Sequence, residues 1–225
     1  MILSRFYRLS AVALMTELAV AAWGLLQVGP SASVPIHWNV NGDPDGWAPA
    51  WLAFSLGPAI TLLVVGLMAL VPRIEPRRAN LRRSANAYRT VAVALVLFLV
   101  VVQVVTVAQG VGYAVPVGLV ISFGIGLLFV VIGNVLGTVR SNFMFGVRTP
   151  WTLSSDRSWD RTHRLVGRLF VVTGVVVAIS SLAGQLALTL GLLLVMISVT
   201  LVGGTWYSYR EWQADPDRRP AGDPG

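Results

Sequence analysis

Cysteine and lysine are both absent from this 225-residue sequence. Without cysteine there is no disulfide, no thiolate nucleophile and no Cys-based zinc site. Without lysine, all 17 basic residues are arginines. Charge of either sign is scarce, at 12% of residues against 55% hydrophobic, and the mean hydropathy is +0.71. A soluble domain is excluded by that balance, and the solvent for most of the chain is lipid.

Long apolar runs are what the sequence does have. A bilayer core needs roughly 20 mainly apolar residues per spanning helix. Six runs meet this requirement: Leu9–Val28, Trp51–Val71, Thr90–Gln109, Val115–Leu136, Arg168–Gln185 and Leu186–Tyr207. The break at Ala183-Gly184-Gln185 is slight, so a re-entrant hairpin stands beside two full spans there. The expected fold class is therefore an all-α integral membrane protein of about six transmembrane helices.

The arginines set the expected topology. They precede the first span, follow the second and the last, and fill the segment between the fourth and fifth. None lies in 29–50 or 109–115. Basic residues of short loops stay on the cytoplasmic side, so both termini are expected inside, with a small extracytoplasmic loop between spans 1 and 2. The net charge of +7 then describes an inner surface that attracts anionic lipid rather than nucleic acid. The first span has no well-spaced small-residue cleavage site after it and reads as an anchor. The chain divides into 1–72 (two spans and the outer loop 29–50), a basic cytoplasmic loop 73–89, a four-span region 90–209 with an inner loop 137–168, and a polar, proline-rich tail 210–225 expected to be disordered. No internal repeat supports an inverted-repeat transporter.

The outer loop reads Val34-Pro-Ile-His37-Trp38-Asn39-Val-Asn-Gly-Asp43-Pro-Asp45-Gly-Trp47. Its first half alternates apolar and polar residues, the period of a short strand. Gly42 to Gly46 reads as a tight turn, with Trp38 and Trp47 at the membrane interface. A calcium-loop match over Asn41–Gly46 fails, because the position of the chelating glutamate is Leu52. His37, Asp43 and Asp45 suit either a divalent ion or peptide amine, or simply the bonding of the turn; one His and two Asp make no specific metal signature.

The inner loop is denser in polar and aromatic residues. Its candidates are Asn134, Asn142, Arg148, Thr149, Pro150, Trp151, Trp159, His163 and Arg164. From Ser154 a capped amphipathic helix is expected, with Arg157, Arg161, Arg164 and Arg168 on one face and Trp159, His163, Val166 and Phe170 on the other. It is expected to lie along the inner interface before turning into span five.

Gly133-Asn134, the run Asn142…Gly146-Val-Arg-Thr-Pro-Trp-Thr-Leu153 and the run Trp159…Thr-His-Arg-Leu…Gly167 resemble the signature of the SdpI-type immunity protein family. The outer Pro35-Ile-His-Trp-Asn…Gly-Asp-Pro-Asp-Gly46 run is similar to an extracytoplasmic domain of unknown function that often precedes that signature. The resemblance implies a multi-pass protein of the bacterial plasma membrane that protects its producer from a secreted antimicrobial peptide toxin. In the best-known case of the family it also implies a receptor that holds a cytoplasmic transcriptional repressor at the membrane when toxin is present; no cofactor and no direct nucleic-acid contact are expected. On this reading His37, Trp38, Asn39, Asp43, Asp45 and Trp47 face the toxin.

One carboxylate, Glu17, falls inside a span, where an ionised group is costly; a proton site or toxin contact and an interhelical hydrogen bond are both open. Gln103, Thr106, Asn134 and Gln185 are its candidate partners. Two other functional classes remain: a small proton-coupled transporter or exporter using Glu17, and a membrane enzyme built on the outer or inner polar set. Neither set contains a recognisable nucleophile–base pair or metal constellation.

Overall fold

The structure is a computed structural model and describes residues 4–221. The elements are α1 (Ser4–Val28), β1 (Ser33–Trp38), β2 (Pro44–Pro49), α2 (Ala50–Ile74), α3 (Arg78–Arg83), α4 (Ala85–Gly110), α5 (Val117–Leu136), α6 (Pro150–Leu153), α7 (Asp156–Ser181) and α8 (Leu186–Gln213). Six of them, α1, α2, α4, α5, α7 and α8, are long and apolar enough to cross a membrane. Large apolar side chains such as Met15, Leu26 and Val202 point outward from these helices. That is the arrangement expected of a protein whose surrounding medium is hydrocarbon. The chain is an all-α multi-span membrane protein carrying one small β-hairpin.

The helices pack as two groups of three. α1, α2 and α4 contact one another, α7 contacts both α5 and α8, and α4 against α5 joins the groups. α7 is the most enclosed span, with 39% of its apolar window buried, whereas α8 has 11% and presents mainly to lipid.

Two glycine pairs bring α5 and α7 into backbone contact. A Cβ added at Gly133 would meet the Gly167 carbonyl oxygen at 2.5 Å, and one at Gly126 would meet that of Gly174 at 2.7 Å. Small residues at seven-residue spacing on both helices are what allow this approach.

Helix α2 contains Pro58 and Pro72, and each removes the hydrogen bond to the carbonyl four residues earlier. Both freed carbonyls are taken by α4. The Gln103 amide donates to Phe54 O at 3.0 Å, and the Tyr88 hydroxyl donates to Met68 O at 2.7 Å. Gly57 supplies the slot, since a Cβ there would collide with the Gln103 side chain. Gln103→Leu should therefore cost about 1–2 kcal/mol by stranding a carbonyl in a dry interior. In a Pro58→Ala background, where the helix regains its own donor, the cost should shrink by about 1 kcal/mol. Thermal unfolding of the four purified proteins in detergent checks this; equal costs in both backgrounds contradict the pairing.

Glu17 finds a partner that the sequence did not suggest. Thr61 on α2 donates to Glu17 Oε1 at 2.8 Å, and both side chains are fully buried. None of the four expected partners takes that place: Gln103 is committed to Phe54, Thr106 bonds its own helix at Val102 O, and Asn134 and Gln185 are exposed. Glu17 Oε2 has no hydrogen-bond partner among the described residues.

Two further expectations are corrected. The amphipathic stretch from residue 154 is not a separate interfacial helix; it forms the first turns of α7, which runs unbroken into the membrane. Its two glycines, Gly167 and Gly174, are used for the approach to α5. The tail is not disordered from residue 210, because α8 continues to Gln213 and the chain then folds back, with Arg219 N donating to Ser154 O at 3.1 Å. The break at 182–185 is a genuine turn between two helices, with Gly184 at φ +69°.

Candidate functional site

The functional candidates gather at opposite ends of the bundle. At one end β1 and β2 form an antiparallel hairpin, seated by Val34 in a cluster with Ala21, Phe54 and Val107. The turn sits earlier than the sequence suggested. Asn39 Oδ1 accepts from the amides of Asn41 at 2.9 Å and Asp43 at 3.1 Å, while Gly42, at φ +88°, donates to Asn39 O. An asparagine that captures two amides closes the chain at once, so Pro44, Asp45 and Gly46 belong to the second strand. Gly46 lies opposite His37, and a Cβ there would meet His37 Cβ at 2.8 Å.

His37 Nδ1 and Asp45 Oδ1 pair across the strands at 2.5 Å, with both side chains substantially exposed. Asp43 and Trp47 are exposed. Among the described residues no three His, Cys, Asp or Glu side chains come together to share an ion. Beneath the hairpin lies a crevice of about 330 Å³, walled by Ile36 and Trp38, by Val105 of α4, Ile121 and Ser122 of α5, and Leu190 of α8. The Trp38 indole nitrogen is buried without a partner among the described residues.

At the other end the inner loop folds into one unit. Asn142 organises it: its amide donates to Arg140 O and Phe145 O, and its Oδ1 accepts from the amides of Met144 and Phe145. Gly146, at φ +119°, lies against His163 and Trp159. Those two rings stack at 4.0 Å; Trp159 Nε1 donates to Val139 O at 2.7 Å. His163 accepts from Val147 N at Nε2 (2.9 Å) and donates from Nδ1 to Trp159 O (2.8 Å), which fixes the neutral tautomer and leaves neither nitrogen for chemistry. Arg148 donates to Phe143 O. Pro150 opens α6 behind Thr149, whose extended backbone and side chain make a reciprocal cap with Thr152.

The clamp that holds this loop was missed in the sequence. Glu75, fully buried just after α2, accepts from Arg77 N at 2.8 Å and Phe143 N at 3.0 Å. Arg77 lies over the Phe143 ring and donates to Ser141 Oγ and to Leu153 O. Asn80 donates to Ser141 O, and Arg140 N donates to Ser84 Oγ. A single carboxylate among the arginines of 73–83 was the available signal. On the far side, α8 and the tail close the unit: Thr149 bonds Ser208, Ser158 donates to Ser208 O, Ser155 donates to Asp215, and Arg157 and Arg161 both reach Glu211. Trp151 packs on Tyr209.

Asn142, Arg148, Thr149, Pro150, Trp151, Trp159 and His163 therefore converge. Asn134 and Arg164 do not; both are exposed on their helices, and Asn134 makes no hydrogen bond among the described residues. Glu17 lies apart from both ends, in the α1–α2 contact.

Residues 138–208 match the SdpI/YfhL protein family, and residues 12–62 match a domain of unknown function, DUF1648. The first match spans the inner loop to Ser208, and the second contains Glu17, the hairpin and Thr61. The chain is 25% identical over 179 residues to the immunity protein SdpI of Bacillus subtilis (strain 168), covering 78% of this chain and 83% of that protein. No solved structure matches the chain. Six membrane-crossing helices, the two regions in this order and that similarity together mark the chain as a multi-pass plasma-membrane protein similar to the SdpI-type immunity proteins.

Proposed function

We propose that the protein protects its cell against a secreted antimicrobial peptide toxin, and that the hairpin end meets the peptide. The name of the Bacillus relative, an immunity protein, supports the class. The observation that carries the site assignment is the hairpin itself. It holds Asp43 and Asp45 exposed, and beneath it lies an apolar crevice walled in part by Trp38, whose buried indole N–H has no acceptor among the described residues. The arginine partition supports an outer position for this end, where no arginine competes with the two carboxylates.

A cationic amphipathic peptide suits such a surface. Exposed ion pairs contribute only about 0–1 kcal/mol each and are screened by salt, so affinity has to come from apolar burial beside Trp38 and Trp47, with the aspartates setting orientation. On the same reading a cytoplasmic repressor would dock at the inner unit, and a role for Glu17 in proton-coupled transport ranks second, because its pairing with Thr61 suits a helix lock. Asp43→Asn with Asp45→Asn should weaken protection several-fold at unchanged membrane abundance, since Val34 seats the hairpin, Asn39 closes it, and the exposed His37–Asp45 pair contributes little to its stability. Survival under toxin beside immunoblotted protein level tests this. Loss of protein in proportion to protection would make the aspartates structural and remove them from the toxin site.

A further inference from the structure

Helix α7 carries arginines that its protein neighbours leave unsatisfied. Arg161, Arg164 and Arg168 follow one face at i, i+3 and i+7, and with Leu165 and Tyr207 they line a crevice of about 290 Å³ between α7 and α8. Arg161 is held by Glu211, which also takes Arg157, so that carboxylate is already doubly countered. Arg164 and Arg168 have no hydrogen bond or ion pair to any described residue.

Depth makes this arrangement costly unless an anion is present. From Arg168 to the end of α7 at Ser181 the helix rises only about 20 Å at ~1.5 Å per residue, against a hydrocarbon core of about 30 Å. The Arg168 backbone thus lies inside the apolar slab, and its guanidinium must extend back toward the head groups or draw a phosphate to itself. We infer that the α7–α8 crevice binds the phosphate of an anionic phospholipid from the adjoining leaflet, gripped by Arg164 and Arg168 and walled by Tyr207. Two guanidinium forks suit phosphate oxygens bidentately, and Leu165 leaves an apolar side along which an acyl chain can lie. A lipid phosphate already borders the slab, at the level that an extended Arg168 guanidinium reaches, whereas a soluble phosphate would have to leave water to approach it.

The site rests on side chains apart from the hairpin, so it stands or falls independently of toxin binding. The test uses the full chain purified in mild detergent, with its unfolding midpoint measured after adding phosphatidylglycerol, phosphatidylcholine or sodium phosphate, and with co-purified lipid quantified by mass spectrometry. Phosphatidylglycerol should raise the midpoint, and the other two should not. Arg164→Gln with Arg168→Gln should abolish that gain and lower retained phosphatidylglycerol roughly tenfold or more. Arg82→Gln with Arg83→Gln, equal in charge removed but on another surface, should leave both unchanged. Should the Gln pair fail to fold, Arg164→Lys with Arg168→Lys keeps the charge, loses the forks and should at least halve the gain. The inference is overturned if either α7 pair keeps the wild-type gain, if the Arg82/Arg83 pair loses as much, or if sodium phosphate matches the lipid.

Discussion

Gly167→Leu should abolish accumulation of folded protein. A Cβ at this position would lie 2.7 Å from the Gly133 carbonyl oxygen, which is backbone of a packed helix and cannot turn aside as a side-chain tip can. The two helices would have to separate, and α7 is the span that holds α5 and α8 together. Overpacking of this kind costs about 1–3 kcal/mol in a compliant core and more where backbone must move, so the folded fraction should fall tenfold or more. Gly191→Leu is the control, since a Cβ there meets nothing within 4 Å. Monodisperse yield from detergent, normalised to total synthesis, measures the effect. Wild-type yield from Gly167→Leu would mean that the α5–α7 contact is not as close as described.

Glu75→Ala should release the inner loop while leaving the spans folded. The Glu75 carboxylate is the shared acceptor for the amides of Arg77 and Phe143, and so joins the end of α2 to the signature loop. Removing it strands two donors at about 1–3 kcal/mol each, while the ties from Arg77, Asn80 and Ser84 to the loop remain. Local opening should then be about tenfold or more frequent, read as faster trypsin cleavage after Arg140 and Arg148 in purified protein. Asp45→Ala, at the opposite end, should leave those rates unchanged. Unaltered cleavage in Glu75→Ala would mean that the loop holds itself without the clamp.

Which features were legible in the sequence follows from how local their causes are. Six spans could be counted because each is a continuous apolar run bounded by arginines or turn residues, and every one corresponds to a helix. The hairpin was visible in the alternation after Val34, but its turn was placed too late; Pro44 and Gly46 are strong turn residues, and nothing local reveals that Asn39 will close the chain first. The continuity of α7 was hidden because an amphipathic segment followed by an apolar one reads as two helices. The ties that hold the polar turns in line, from Ser158 to Ser208 and from Arg157 and Arg161 to Glu211, join residues about 50 positions apart.

Causes that link distant residues were not legible. Pro58 announces a missing hydrogen bond, yet nothing in the sequence names Gln103, 45 positions later, as the donor that replaces it. The same holds for Thr61 and Glu17, and for Glu75 and Phe143. Asn142, Trp159 and His163 were singled out as an unusual set of residue types; their actual roles, with every polar atom of His163 spent on backbone, became visible only in the folded loop.

Protection itself is the central claim, and the most direct test is survival. A peptide-sensitive bacterial strain expressing the chain, and the same strain with an empty vector, would be titrated with cationic peptides purified from the secretions of the source bacterium. The immunoblotted membrane level of the chain would be recorded at each dose. The account predicts that at least one such peptide needs a several-fold higher dose to kill cells carrying the chain. Identical killing curves for every peptide, with the protein present in the membrane at normal level, would contradict it.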